Sequence, residues 1–138
     1  GMGIPAGVAA SLRYPDRQIF SIVGDGGALM TGSELATAVA QKAKIRVIVA
    51  NNQHYGTIRY HQEVHFPTRN HYATNLVNPD FAKYGESFGL KCFTINEVEE
   101  VIPTIQKAME VDGPSLIEFK MSLELNTSTT TLSQLQMK

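Results

Sequence analysis

The chain has 138 residues, 43% of them hydrophobic, which is enough to build one compact domain with a sizeable core. Twelve basic and thirteen acidic residues leave a net charge of −1, with no long run of either sign, so composition gives no support to a nucleic-acid or membrane partner. The single cysteine, Cys92, cannot form an internal disulfide, and no apolar run reaches the roughly 18 residues of a membrane span. We therefore expect a cytoplasmic protein.

The opening segment "GMGIPAGVAASL" lacks the basic start and long apolar middle of a secretory signal, and it is typical of the interior of a motif. We therefore expect residues 1–138 to form one domain excised from a longer, multi-domain enzyme.

Four apolar segments have the length and composition of β-strands, and the first two are nearly continuous, as in strands buried on both faces: "QIFSIVG", "IRVIVAN", "KCFTI" and "SLIEFKM". They alternate with four segments of helical spacing, "IPAGVAASLRY", "SELATAVAQKA", "PDFAKYGESFG" and "EVEEVIPTIQKAME". Pro103 is placed in the first turn of the last helix or at a kink within it. This order predicts an α/β fold with a doubly wound parallel sheet in a three-layer α/β/α arrangement. The polar tail "LELNTSTTTLSQLQMK" fits either disorder or packing over a neighbour.

Polar residues follow the first two predicted strands, at the sheet edge where parallel α/β proteins bind ligands. Glycines flank Asp25 at positions 24, 26 and 27, and they predict a sharp turn whose amides approach a ligand. Asp25 supplies a hard oxygen, and the side-chain amides of Asn51 and Asn52 can complete a magnesium shell. Taken singly, each motif also fits an ordinary turn or loop.

Two further residues have the spacing of a helix cap. Thr31 and Glu34 lie three positions apart before an apolar run, which predicts a capping box with a structural role.

The combination is more specific than its parts. The chain has "GDG", then an "EL.TA" helix, then "NN", with Asn52 placed 27 residues after Asp25. This order resembles the diphosphate-binding motif of thiamine diphosphate enzymes. The nearest likeness is to the acetolactate synthase (large subunit) group, together with pyruvate oxidase and benzoylformate decarboxylase. The opening segment and the stretch from "NPDFAKYGESFG" to "PSLIEF" extend the resemblance over almost the whole chain, so it implies the cofactor-binding (pyrophosphate) domain of such an enzyme.

The resemblance implies a role for particular residues. Magnesium would be held by Asp25, the side-chain oxygen of Asn52 and the backbone carbonyl of His54. Met30 would lie against the aminopyrimidine ring of the cofactor, with Gly1 and Met2 on the other side. The implied cofactor-binding set is Gly1, Met2, Gly24, Asp25, Gly26, Gly27, Met30, Asn52, His54, Tyr55 and Gly56, and the substrate side would comprise Tyr55, Thr57, Ile58 and Gln62.

The resemblance also implies an activity. Enzymes of this kind decarboxylate a 2-keto acid such as pyruvate, and the acetolactate synthases ligate the product to a second keto acid. Their activating glutamate belongs to another domain or subunit, so we assign no catalytic residue in this chain and expect a partner domain or chain, in a homodimer or higher oligomer. Glu34 and Glu63 are set aside as substitutes, since Glu34 fits a helix cap and Glu63 falls in a predicted loop. The resemblance leaves open whether a flavin (FAD) is bound on the missing domains.

Several alternatives remain. Ile58 is apolar where decarboxylases of the family can carry an acid, which favours carboligation, but a decarboxylase, an oxidase and a non-catalytic binding module all stay open. His61 and His65 stand one helical turn apart, yet no third ligand is evident, and solvent-facing loop histidines are the preferred interpretation. Cys92 is interpreted as a small buried apolar residue near a strand start.

Overall fold

A computed structural model describes residues 1–66, 72–127 and 130–136. Its α-helices are α1 (Gly3–Arg13), α2 (Asp25–Thr31), α3 (Leu35–Ala40), α4 (Gly56–His65), α5 (Phe81–Ser87), α6 (Val101–Met109) and α7 (Leu132–Gln136). Its strands are β1 (Ile19–Gly24), β2 (Ile45–Asn51), β3 (Lys91–Ile95), β4 (Ser115–Lys120), β5 (Leu125–Thr127) and β6 (Thr130–Thr131). Short 3₁₀ turns at Gly32–Glu34 and Val98–Glu100 precede α3 and α6.

The four predicted strands form one parallel sheet in the order β1-β2-β4-β3. The register aligns Gly24 of β1 with Ala50 of β2, and Asn51 of β2 with Lys120 of β4. The carboxyl ends of β1, β2 and β4 therefore meet at one edge of the sheet, as the sequence predicts.

Helices cover both faces of this sheet because its strands alternate their side chains between two cores. Ile45, Val47 and Val49 of β2 are fully buried in a core shared with α1, α3 and α5. Ile48 of the same strand faces the opposite core, which contains Ile117 and residues of α6. The three-layer α/β arrangement is thereby confirmed.

Helix α1 lies unusually close to the sheet because two of its contact residues are glycines. A methyl group on Gly7 would come within 2.6 Å of the Ile45 side chain, and one on Gly3 would overlap Val23. Glycine is needed at both positions because a side chain would collide with the sheet, and not because of the backbone conformation, which is helical.

The structure corrects two local predictions near the carboxyl edge. The "GDG" segment does not form a turn: β1 ends at Gly24, and α2 begins directly at Asp25. The residues after the asparagines form helix α4, so Glu63, His61 and His65 are helical and do not lie in a loop. Glu63 is also fully buried.

The predicted capping box is wrong as well. The Thr31 hydroxyl donates to the backbone oxygen of Gly1 at 2.6 Å, and Glu34 accepts a hydrogen bond from the Thr37 hydroxyl at 3.1 Å. Thr31 therefore ties the start of α1 to the end of α2 and does not cap α3.

Pro103 lies in the first turn of α6, as predicted, where its missing amide is tolerated. The prediction for Cys92 holds in part: it is the second residue of β3 and packs against the main core, but it is only partly buried.

The described part of the tail is folded. Strands β5 and β6 form an antiparallel pair and α7 packs on α4, while residues 128–129 and 137–138 lie outside the described part of the chain. Within that part, none of the helices combines the length and the hydropathy needed to cross a bilayer.

Candidate functional site

A cleft of about 220 Å³ opens where β1 and β2 end. Its walls come from the first turns of α2 and α4 and the segments that lead into them, and its lining residues are Gly24, Asp25, Gly26, Gly27, His54, Tyr55, Gly56, Thr57 and Ile58. All nine belong to the sets that the sequence predicts for cofactor or substrate. The ends of two adjacent parallel strands bring these two distant segments together.

The Asp25 carboxylate lies at the base of this cleft and is only 2% exposed. Its Oδ1 accepts a hydrogen bond from the Gly26 amide at 2.8 Å. Its Oδ2 accepts two, from the Gln53 amide and from Asn78 Nδ2, both at 2.7 Å. Three N–H donors thus compensate the buried carboxylate.

The Gln53 amide reaches Asp25 because its backbone turns left-handed, with φ of 58°. This conformation is uncommon for a residue other than glycine and concentrates at functional sites. Residues 74–76 support the turn, since the Tyr55 amide donates to Thr74 O at 2.9 Å and the Leu76 amide donates to Gln53 O at 2.8 Å. These two hydrogen bonds hold the turn at Gln53 against residues 74–76.

Asn52 and His54 form a compact unit beside this turn. The His54 amide donates to Asn52 Oδ1 at 3.3 Å, and His54 Nδ1 lies 2.7 Å from the Asn52 backbone oxygen, a contact that requires the proton on Nδ1. Asn52 Nδ2 donates to Leu125 O at 3.3 Å, so its Oδ1 is oriented toward the His54 backbone. Asn52 itself is not among the residues that line the cleft.

The remaining predicted residues fall into two places. Gly1 lies against Met30, since a methyl on Gly1 would come within 3.0 Å of Met30 Cβ, and Met2 is largely exposed beside them. The three are thus together, but outside the lining of the cleft. Thr57 and Ile58 face the cleft, whereas Gln62 bonds the backbone of Tyr72 through both ends of its amide, at 3.0 and 3.3 Å.

Sequence reasoning missed two polar side chains behind the cleft, Asn78 and Glu118. Asn78 bridges Asp25 and Asn51, and Asn51 in turn donates to Glu118 Oε1 at 2.7 Å. Glu118 does leave a signal, because it is a lone acid inside the apolar strand "SLIEFK". Asn78, in the loop before α5, leaves none.

The described residues contain no group of three or more His, Cys, Asp or Glu side chains that could hold a metal ion. The rings of His61 and His65 stack 5.6 Å apart on α4, and no other His, Cys, Asp or Glu of the described part of the chain joins them in a metal-binding group. A site built from Asp25 and neutral oxygens is of the kind that suits Mg²⁺, which accepts one or two carboxylates with phosphate oxygens and water.

Comparison with known proteins decides the family. Residues 1–119 match the family model described as "Thiamine pyrophosphate enzyme, C-terminal TPP binding domain". The chain belongs to the thiamine pyrophosphate enzyme family. The predicted motif from Asp25 to Asn52 falls within the matched region, as does the whole four-stranded sheet apart from Lys120.

The relatives among curated proteins carry different names. The chain is 37% identical over 124 residues to YdaP of Bacillus subtilis, named as thiamine pyrophosphate-containing, covering 90% of this chain and 21% of that protein. It is 35% identical over 127 residues to the 3D-(3,5/4)-trihydroxycyclohexane-1,2-dione hydrolase of B. subtilis, covering 88% and 20%. It is 35% identical over 125 residues to the acetolactate synthase large subunit of Corynebacterium glutamicum, covering 86% and 20%. The chain thus spans about a fifth of the length of these relatives.

Proposed function

We propose that the cleft binds the diphosphate of thiamine diphosphate through Mg²⁺ held by Asp25, the Asn52 side-chain oxygen and the His54 backbone carbonyl. The buried carboxylate at the junction of β1 and α2 carries the proposal, because Asp25 is the one acidic side chain among the nine residues that line the cleft. A divalent cation bridges such a carboxylate to an anionic ligand.

The walls of the cleft suit a phosphate group. The first turns of α2 and α4 line it, and amides in the first turn of a helix have no partners within the helix. Methyl groups on Gly24 or Gly27 would meet nothing within 4 Å, so the backbone there is open to close approach by a ligand.

The bonds at Asp25 leave room for a metal. Counting four lone-pair sites on a carboxylate, the three N–H donors leave one on Oδ1. We infer that this site coordinates Mg²⁺, while Gly1, Met2 and Met30 flank the aminopyrimidine ring and Thr57 and Ile58 border the substrate. Gln62 acts on the substrate side only indirectly, through the backbone of Tyr72 that it anchors.

For the whole enzyme we propose an acetolactate synthase-like reaction in the cytoplasm. When bound, thiamine diphosphate supplies the nucleophilic carbon that releases carbon dioxide from a 2-keto acid. This chain anchors the cofactor and presents apolar Ile58, 53% exposed in the cleft, which cannot donate a proton to the product and so favours ligation to a second keto acid. The activating glutamate comes from another domain or from the partner in a homodimer.

The names of the relatives give a second candidate function, a different reaction with the same cofactor. A hydrolase and an acetolactate synthase subunit are equally similar to this chain, so the same cofactor domain serves different reactions. Product analysis with pyruvate, on a protein extended to the length of these relatives, separates acetolactate from acetaldehyde or acetate, the products of a decarboxylase or an oxidase.

The cofactor proposal is tested by calorimetric titration with thiamine diphosphate, with and without Mg²⁺. Asp25→Ala removes the charged ligand and is expected to weaken Mg²⁺-dependent affinity by at least about a hundredfold, the upper range for losing even an outer partner of a metal ligand. Asn52→Ala removes a neutral ligand and has a smaller effect. Unchanged Mg²⁺-dependent affinity in Asp25→Ala would refute the metal assignment.

A further inference from the structure

A line of polar side chains crosses the carboxyl edge of the sheet behind the cleft. Glu118 of β4 accepts a hydrogen bond from Asn51 Nδ2 at 2.7 Å. Asn51 Oδ1 accepts from Asn78 Nδ2 at 2.8 Å, and the same Nδ2 donates to Asp25 Oδ2 at 2.7 Å. Glu118, Asn51 and Asp25 are 2%, 8% and 2% exposed, and Asn78 is partly buried, so most of this line is shielded from bulk solvent.

The carboxylates at the two ends fix the direction of every bond between them. Glu118 Oε1 accepts from the amide nitrogen of Asn51, and this bond turns the Asn51 oxygen toward Asn78. Asn78 then faces two oxygen acceptors, one on Asn51 and one on Asp25, and meets them with the two hydrogens of one nitrogen. The reversed amide would place three oxygens together, so this orientation is imposed.

Asn78 differs from the other donors to Asp25. Gly26 and Gln53 use backbone amides that belong to the motif segments themselves, whereas Asn78 is a side chain from the loop before α5. Its own Oδ1 is buried and has no hydrogen-bond partner among the described residues, so the bonds made by its nitrogen hold the amide in place. The Asp25 carboxylate is thereby tied to a different part of the fold.

We propose that Asn78 is a positioning residue for Asp25, oriented by Asn51 and Glu118. The proposal rests on the proposed function of Asp25 as a metal ligand. Asn78 and the Gln53 amide both bond Oδ2 of Asp25, so the lone pair left for the metal lies on Oδ1. The two bonds also hold the carboxylate in one orientation. Partners of this kind orient metal ligands, and losing one typically lowers metal affinity by about 10- to 100-fold.

Asn78→Asp is the decisive variant, because it keeps the size of the side chain and replaces the donor with an acceptor. We expect it to weaken Mg²⁺-dependent binding of thiamine diphosphate by about tenfold or more in calorimetry. Val77→Ala is the control from the same loop: Val77 is adjacent to Asn78 and its side chain is fully exposed, so the variant should bind within about twofold of wild type.

Glu118→Gln tests the far end of the line. A glutamine oxygen can still accept from Asn51 Nδ2, so Glu118→Gln should largely keep thiamine diphosphate binding. Glu118→Leu removes the acceptor and, like Asn78→Asp, should lower the affinity for thiamine diphosphate. Far-UV circular dichroism and thermal denaturation establish that each variant is folded.

A readout without ligand completes the test. Amide hydrogen exchange at Gln53 should speed up in Asn78→Asp, because repulsion displaces the carboxylate that its amide bonds. Wild-type affinity and exchange in Asn78→Asp, with binding lost in Asp25→Ala, would overturn this inference and leave the proposed function intact. Unchanged binding in Asp25→Ala would overturn both.

Discussion

The three glycines around Asp25 are small for two different reasons. A methyl group on Gly26 would come within 2.5 Å of the Tyr55 ring, so this position must stay bare for α2 to pack against the segment before α4. Gly24 and Gly27 would meet nothing, and neither has a positive φ. Their lack of side chains keeps the cleft open, and the sharp turn predicted from the sequence is not needed.

Gly27→Ala should therefore raise the stability of the fold and lower the affinity for thiamine diphosphate. Alanine within a helix is favoured over glycine by about 0.5–1 kcal/mol, and nothing in the fold obstructs its methyl group, so thermal denaturation should move up by a few degrees. The same methyl group would occupy the space proposed for the diphosphate. We expect calorimetry to give thiamine diphosphate affinity at least about tenfold lower, a loss of roughly 1.4 kcal/mol.

Gly26→Ala is the control for this variant. It should lose both stability and binding, because Tyr55 must move to admit the methyl group. Wild-type affinity in Gly27→Ala would place the diphosphate elsewhere.

At this scale the sequence predicts the residues of the cleft and Asn51 behind it, but not Asn78. Asp25 and the Asn51–Asn52 pair could be found because each follows an apolar strand, and parallel strands end at one edge. Asn78 follows no strand and belongs to no periodic pattern, so its contact with Asp25 is created only by the tertiary fold.

Helix α4 was missed because its buried face is not apolar. Its buried residue is Glu63, whose Oε1 pairs with Arg59 Nε at 2.8 Å one turn away. A charged pair inside the protein erases the apolar periodicity from which helices are predicted. Helix α2 was missed for another reason, since two of its first three residues are glycines, the poorest helix formers after proline. The strands of the four-stranded sheet and helices α1, α3, α5 and α6 carry clear patterns and were found, whereas α7 lies in the polar tail, where no helix is predicted.

The packing of α5 on β3 sets the chemistry of Cys92. A methyl group on Gly85 would come within 2.6 Å of Cys92 Sγ, so helix and strand are in close contact there. Burial, helped by the charge of Glu86, raises the pKa of the Cys92 thiol from 9.0 to about 11. The thiolate is the reactive form, so the native thiol should be inert near neutral pH.

Native Cys92 should react slowly with a thiol-specific disulfide reagent. At pH 8 the raised pKa lowers the thiolate fraction by about a hundredfold relative to an ordinary thiol, so we expect the native rate to be slower than the rate in urea by about that factor. Because the folded state holds this proton more tightly, stability should decline as pH rises from about 9 toward 11. Gly85→Ala should speed the native reaction by displacing α5, and equal rates in native and unfolded wild type would contradict the burial argument.

On the scale of the whole molecule, the edge strand β1 has one face that no helix of the described residues covers. Helix α6 packs on β3 and β4, while α1 covers the opposite face of β1. Phe20 and Ile22 point away from α1 and are 44% and 72% exposed on this edge strand. Exposed apolar groups on a sheet face are typical of surfaces that meet another domain or subunit.

We predict that the chain by itself self-associates through this face. Ile22→Lys places a charge among the apolar groups and should shift sedimentation velocity profiles toward the monomer at a given concentration, because burying an unpaired lysine in a contact is unfavourable. Val98→Lys is the matched control, since Val98 is 73% exposed at the turn before α6 and its replacement should leave the profile unchanged.

Ile22 lies on β1 two residues before Gly24 and faces away from α1, so thiamine diphosphate binding should persist in Ile22→Lys if the cleft remains intact. A monomeric wild type over the whole concentration range, or equal effects of the two lysines, would count against this face as the contact.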